Sequence, residues 1–316
     1  MVSFTVKMSK VTFAIVNVPV SVATILVNMF FVYCMISSQE GPVNRVKPPL
    51  NVLLWSLIGC NLILNIFNLL FSFFNFVYPA PWIYVFSVAG FLFAMWTGFT
   101  ASFALNVCYY LQIVPVRQTV LIWIKKHIRL FVYLALFVDR LLFLPEFLGR
   151  CILYISAMNL NSTRDHVNNT SEKTNSGFYV LSHIYFWIRC CYFLLCLGIM
   201  LASSSVTVVY LRTHIKRMEE NNNFFSAVRK KQQMKVTIIS IIQGVLYFLA
   251  AGWLMIRELY AYFAVDFWDR RGHLIFTVMA LYSLGATILL GIGQTKFRLM
   301  AKNVGRKLQT LKCPLS

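Results

Sequence analysis

Asp139, Arg140, Glu146, Arg150 and Arg189 are charges set inside long apolar stretches of the chain, so they are the first places to look for chemistry. A charge in such surroundings is costly. Where it persists it pairs with another charge, faces a bundle interior or marks a ligand or ion path. Glu146 and Arg150 are four residues apart, one helical turn on one face, which fits a local ion pair. Asp139 and Arg140, near the middle of the same stretch, read as structural pairing, and Arg189 is the stronger ligand candidate. No catalytic constellation accompanies them. The chain has no H-E-x-x-H, no G-x-S-x-G and no phosphate-binding glycine loop. Its five histidines are scattered along the chain. The expectation is a protein that is not an enzyme and holds no metal and no cofactor.

The elements that must position these residues are the apolar stretches themselves. Windows at about 11–36, 50–76, 84–113, 128–154, 179–211, 235–257 and 274–294 each reach the roughly 20 apolar residues that a helix needs to cross a bilayer core. Backbone in lipid must satisfy its own hydrogen bonds, so each window reads as a helix. The chain is 59% hydrophobic and 12% charged, about half the charge of an ordinary soluble domain. The predicted fold is an all-α membrane protein, a seven-transmembrane bundle over 1–294, followed by a tail over 295–316. In that tail Phe297, Met300, Ala301, Val304, Leu308 and Leu311 recur at helical spacing between basic residues, the pattern of an interfacial amphipathic helix.

Charge gives the orientation. Loops at about 37–49, 114–127 and 212–235 and the tail hold most of the lysines and arginines, so they are assigned to the cytoplasm and the N-terminus to the outside of the plasma membrane. Asn161, Asn168 and Asn169 each begin a glycosylation sequon, and all three lie between spans 4 and 5, on the predicted outer side. The net charge of +19 therefore reflects topology and attraction to anionic membrane lipid, not a nucleic-acid partner. Cys34, Cys60, Cys108, Cys190, Cys191 and Cys196 fall inside spans and read as small packing residues. Span 7 has no lysine, which argues against a retinal Schiff base. Span 3 has no charged residue, which argues against an amine receptor with its counter-ion there.

The inner ends of the spans carry a family resemblance. Tyr210-Leu-Arg-Thr-His214-Ile-Lys216-Arg-Met218 closes span 5, and Met234-Lys235 precedes Tyr247-Phe-Leu-Ala250 in span 6. Cys108-Tyr-Tyr-Leu-Gln-Ile113 closes span 3, and Ile124-Lys125-Lys-His-Ile128 opens span 4. Thr287-Ile-Leu-Leu-Gly-Ile-Gly-Gln294-Thr-Lys296-Phe-Arg298 closes span 7, and Asn28 stands in span 1. Over most of its length the chain resembles the bitter taste (type 2 taste) receptors. It departs from their pattern where a span 2 arginine reads Asn61, a span 3 lysine reads Gln112, a span 7 histidine reads Ala286 and a span 7 asparagine reads Gln294. These departures mark a divergent member.

The resemblance implies a receptor that binds a small-molecule agonist from outside and activates a heterotrimeric G protein. It implies ligand contact at Tyr247 and Phe276, and at Thr100, where the family's span 3 tryptophan falls. Trp96, Thr100 and Phe103 lie near one face of span 3, either as core or as ligand contacts. Lys125, His214, Lys216, Met218, Lys235 and Lys296 gather at the predicted cytoplasmic mouth. There they read as a solvated membrane flank or as coupling residues. The rival readings are a vomeronasal type 1 pheromone receptor and, from another class, a seven-helix transporter or channel.

Overall fold

A computed structural model describes residues 8–37, 48–77, 81–114, 119–162, 171–219, 224–263 and 272–312. These residues form helices α1 (Lys10–Ser37), α2 (Pro48–Phe74), α3 (Pro81–Ile113), α4 (Thr119–Lys126), α5 (Ile128–Ser162), α6 (Ser171–Glu219), α7 (Phe224–Phe263), α8 (His273–Gly293) and α9 (Thr295–Lys312). Each of the seven apolar windows falls on one helix: α1, α2, α3, α5, α6, α7 and α8. Among the described residues five helices, α1, α2, α3, α6 and α8, are long and apolar enough to cross a membrane. The chain is a membrane-embedded helical protein.

The burial pattern is that of a chain dissolved in lipid. Ile15, Leu26, Phe137, Leu194 and Leu249 point outward, whereas Asn17, Asn28, Asn61, Asn65 and Asn68 are buried. Lipid is as apolar as leucine, so apolar side chains gain little by hiding from it. Polar side chains must find partners inside the bundle. Their amide nitrogens do so along a seam between α1, α2 and α8, while the amide oxygens of Asn28, Asn65 and Asn68 are left unbonded among the described residues. Asn17 Nδ2 donates to Thr277 Oγ1 at 2.7 Å. Asn68 Nδ2 donates to Ser21 Oγ at 2.8 Å and to Asn17 Oδ1 at 3.2 Å. Asn65 Nδ2 donates to Ser283 Oγ at 2.8 Å. Asn28 and Asn61 both donate to Thr287 Oγ1, at 2.9 and 3.4 Å.

Helix α3 lies at the centre, packed on α2, α5, α6 and α7. Its residues 94–108 are buried without interruption. Gly90 lets α2 approach, since a Cβ there would lie 2.4 Å from the Phe67 ring.

The helices also run past the expected loops. α5 continues to Ser162 and α6 begins at Ser171, so much of the segment expected to link spans 4 and 5 is helical. α6 reaches Glu219 and α7 starts at Phe224, beyond the apolar window on each side. α4 occupies the segment after span 3. Hydropathy ends where lipid ends. A helix ends where its backbone loses good partners, and polar residues carry it onward into water.

Candidate functional site

Four residues of α3 organise the site. Trp96, Phe99, Thr100 and Phe103 recur at three- and four-residue spacing, so they share a face. Trp96 stacks on Phe143 of α5, with centroids 5.4 Å apart. Phe99 meets Tyr247 of α7 edge-on at 5.2 Å and Tyr282 of α8 at 5.0 Å. Phe193 of α6 stacks on Tyr247 at 6.1 Å, and Phe143 meets Tyr192 at 6.0 Å. Trp96, Phe103, Tyr247 and Phe276 all belong to one buried apolar cluster.

A polar chain passes through these rings. Thr100 Oγ1 is hydrogen-bonded to Asp139 Oδ1 and stands 2.7 Å from the Tyr192 hydroxyl. Asp139 Oδ2 accepts from Arg140 Nη1 at 3.0 Å, and Arg140 Nη2 reaches Ser56 Oγ of α2 at 3.4 Å. Asp139 and Arg140 thus form the expected pair, which also ties α5 to α2 and α3, and Thr100 links it onward to α6.

No known family model matches the chain, and no curated protein matches it.

The structure brings Trp96, Thr100, Phe103 and Tyr247 into one place. Phe276 lies farther along α8, between Phe71 and Phe91, each 3.9 Å away by ring centroid. Arg189 is buried on α6, one turn before Tyr192. Tyr192, Phe143 and Tyr282 were not singled out in the sequence. Tyr192 follows Arg189 by three residues, and Phe143 follows Asp139 by four, so each shares a face with a charge already marked. Tyr282 carries no comparable signal.

At the other end of the bundle, motif residues from four helices meet. Asn28 and Asn61 converge on Thr287. Gln294 Nε2 donates to the Tyr109 hydroxyl at 2.6 Å. Phe297 of α9 stacks on Phe31 of α1 at 4.3 Å. Lys296 lies beside them, and partial burial holds its ammonium below the ordinary lysine range, opposed by the nearby Cys34. Lys125 is exposed in the last turn of α4. The side chains of His214, Lys216, Met218 and Lys235 lie outside the described residues, although their backbones belong to α6 and α7. Asn161 falls at the end of α5 with its side chain outside the described residues, and Asn168 and Asn169 lie outside them altogether. Among the described residues no group of three or more His, Cys, Asp or Glu side chains could hold a metal ion.

Proposed function

We propose that this protein is a G-protein-coupled receptor of the bitter taste kind, with seven spans formed by α1, α2, α3, α5, α6, α7 and α8. Its N-terminus lies outside the plasma membrane and its tail inside. A small, largely apolar agonist enters from outside between α2, α3, α6, α7 and α8. It contacts Trp96, Thr100, Phe103, Arg189 and Tyr247. Binding favours an open inner mouth because the agonist binds that state more tightly. A heterotrimeric G protein then engages the segments after α3 and α6, with Lys125, His214, Lys216, Met218 and Lys235 at the mouth.

The observation that carries this reading is the convergence of positions that the receptor pattern marks, whether or not the chain keeps the family's residue there. Asn28, Asn61 and Thr287 share hydrogen bonds across three helices, and Gln294 bonds Tyr109 across to a fourth. Asn28, Tyr109 and Thr287 carry the resemblance, Asn61 and Gln294 stand where the chain departs from it, and hydrogen bonds join the two sets.

A transporter reading draws on the asparagine seam, whose neutral oxygens would suit an ion or proton path. One experiment separates the two. Cells expressing the chain with a promiscuous G protein are exposed to a panel of bitter compounds while calcium release and ion flux are recorded. Compound-dependent, G-protein-dependent release is expected. Flux without any compound, and no G-protein response to the panel, would overturn the receptor reading.

A further inference from the structure

We infer that this site takes ligands bearing a protonated amine, with the Asp139 carboxylate as their counter-ion; the inference rests on the receptor reading above. Helix α3 carries no charged residue, which argued against an amine site on it. The fold supplies the carboxylate from the neighbouring helix. Asp139 of α5 is 1% exposed and is bonded through Oδ1 to Thr100 of α3.

The two oxygens of that carboxylate have different surroundings. Oδ2 is held by Arg140, whose side chain is 39% exposed and extends toward Ser56 at the α2 side. Oδ1 is bonded to the Thr100 hydroxyl of α3, which is bonded in turn to the Tyr192 hydroxyl of α6. An ionised carboxylate only accepts, so the single Thr100 proton goes to Asp139 and the Tyr192 proton goes to Thr100. Donors therefore point toward Oδ1, from Tyr192 to Thr100 to Asp139. An alkylammonium N–H offers the same kind of donor with a full charge. Such charge-assisted bonds are roughly twice as strong as neutral ones. It replaces the hydroxyl cap on Oδ1 while Arg140 stays on Oδ2.

The walls suit a cation as well. Trp96 stands one turn before Thr100 on α3, and Phe143 one turn after Asp139 on α5. Their stacked pair therefore flanks the Thr100–Asp139 bond, with Tyr192 beside Phe143. Ring faces attract an ammonium, most strongly where water is excluded.

The test uses the full chain with two probes of the same shape, 3-phenylpropylamine and its neutral counterpart 3-phenylpropan-1-ol. Thermal stabilisation of the purified protein reports binding, and calcium release in cells reports signalling. The amine is expected to act at a concentration at least tenfold below that of the alcohol. Asp139→Asn should raise the amine's half-effective concentration tenfold or more and leave the alcohol's within threefold. Asp139→Asn with Arg140→Gln removes both charges together and guards against a misfolded single variant. Equal effect of amine and alcohol on the wild type overturns the proposal. So does an unchanged amine response in either folded variant, or no stabilisation by either probe. Amine stabilisation that Asp139 controls, without any G-protein response, keeps the amine site and defeats the receptor reading.

Discussion

Phe276→Ala should cost stability and leave agonist potency alone. Phe276 is 3% exposed, and its two ring faces are covered by Phe71 at an interplanar angle of 6° and by Phe91 at 28°. In lipid the transfer term for an exposed ring nearly vanishes, so the loss is one of packing. A cavity of roughly 100 Å³ at about 24 cal/mol per Å³ gives ~2.4 kcal/mol. Two aromatic pairs at about 0.5–1.5 kcal/mol each give ~1–3 kcal/mol. The two terms overlap, and about 3 kcal/mol is the expected cost, roughly a hundredfold in the folded-to-unfolded ratio. The assay is unfolding temperature of the purified protein together with surface density and agonist concentration dependence in cells. Phe276→Ala should lower the first two and reduce the maximal response in proportion to surface density. Phe276→Leu should fall between it and wild type. Wild-type stability and surface density, with only the half-effective concentration shifted, would refute the packing argument and make Phe276 a ligand contact.

Tyr247→Ala and Trp96→Ala should each weaken agonist potency at least several-fold without abolishing surface expression; unchanged concentration dependence in both would place the ligand site elsewhere. His214→Ala or Lys235→Ala should alter basal or maximal G-protein activation more than potency, and wild-type values for both would remove them from coupling. Gly90→Ala should destabilise by ~1–3 kcal/mol, because its Cβ would meet the Phe67 ring at 2.4 Å. Gly59→Ala, with nothing within 4 Å of the added atom, should be neutral or stabilising by up to about 1 kcal/mol, as thermal unfolding would show. Changing Asn161, Asn168 and Asn169 to Gln should abolish the glycosidase-sensitive mass shift, and a shift that survives would count against the assigned topology.

The helices were legible because apolar length is a strong signal, and each window landed on one. Their ends were not, since the polar extensions of α5, α6 and α7 carry no hydropathy mark. The site was legible in part. Spacing marks Trp96, Thr100 and Phe103 on one face of α3, the resemblance marks Tyr247, and the fold gathers the four in one cluster. Which helix would face them was not legible. That depends on how each helix is turned about its own axis, and a nearly all-apolar stretch such as 184–201 of α6 leaves its turn unmarked. Hence Tyr192 was passed over, and Asp139 was read only as the partner of Arg140. The seam was legible in principle. Asn61, Asn65 and Asn68 follow one face of α2, and Asn17, Ser21, Thr24 and Asn28 one face of α1.

That seam also bears on what can move. Apolar contacts tolerate sliding, because one methyl group serves about as well as another. A ladder of amides and hydroxyls does not. To slip α8 by one turn past α1 and α2 would break the bonds of Thr277, Ser283 and Thr287 at once, with no water in the bilayer to replace them. Helices α1, α2 and α8 therefore behave as a fixed frame, keyed like teeth on a rack. α6 and α7 hold no rung of that ladder. Any hinge in this molecule is expected on their side of α3, and rotation there can leave the frame intact.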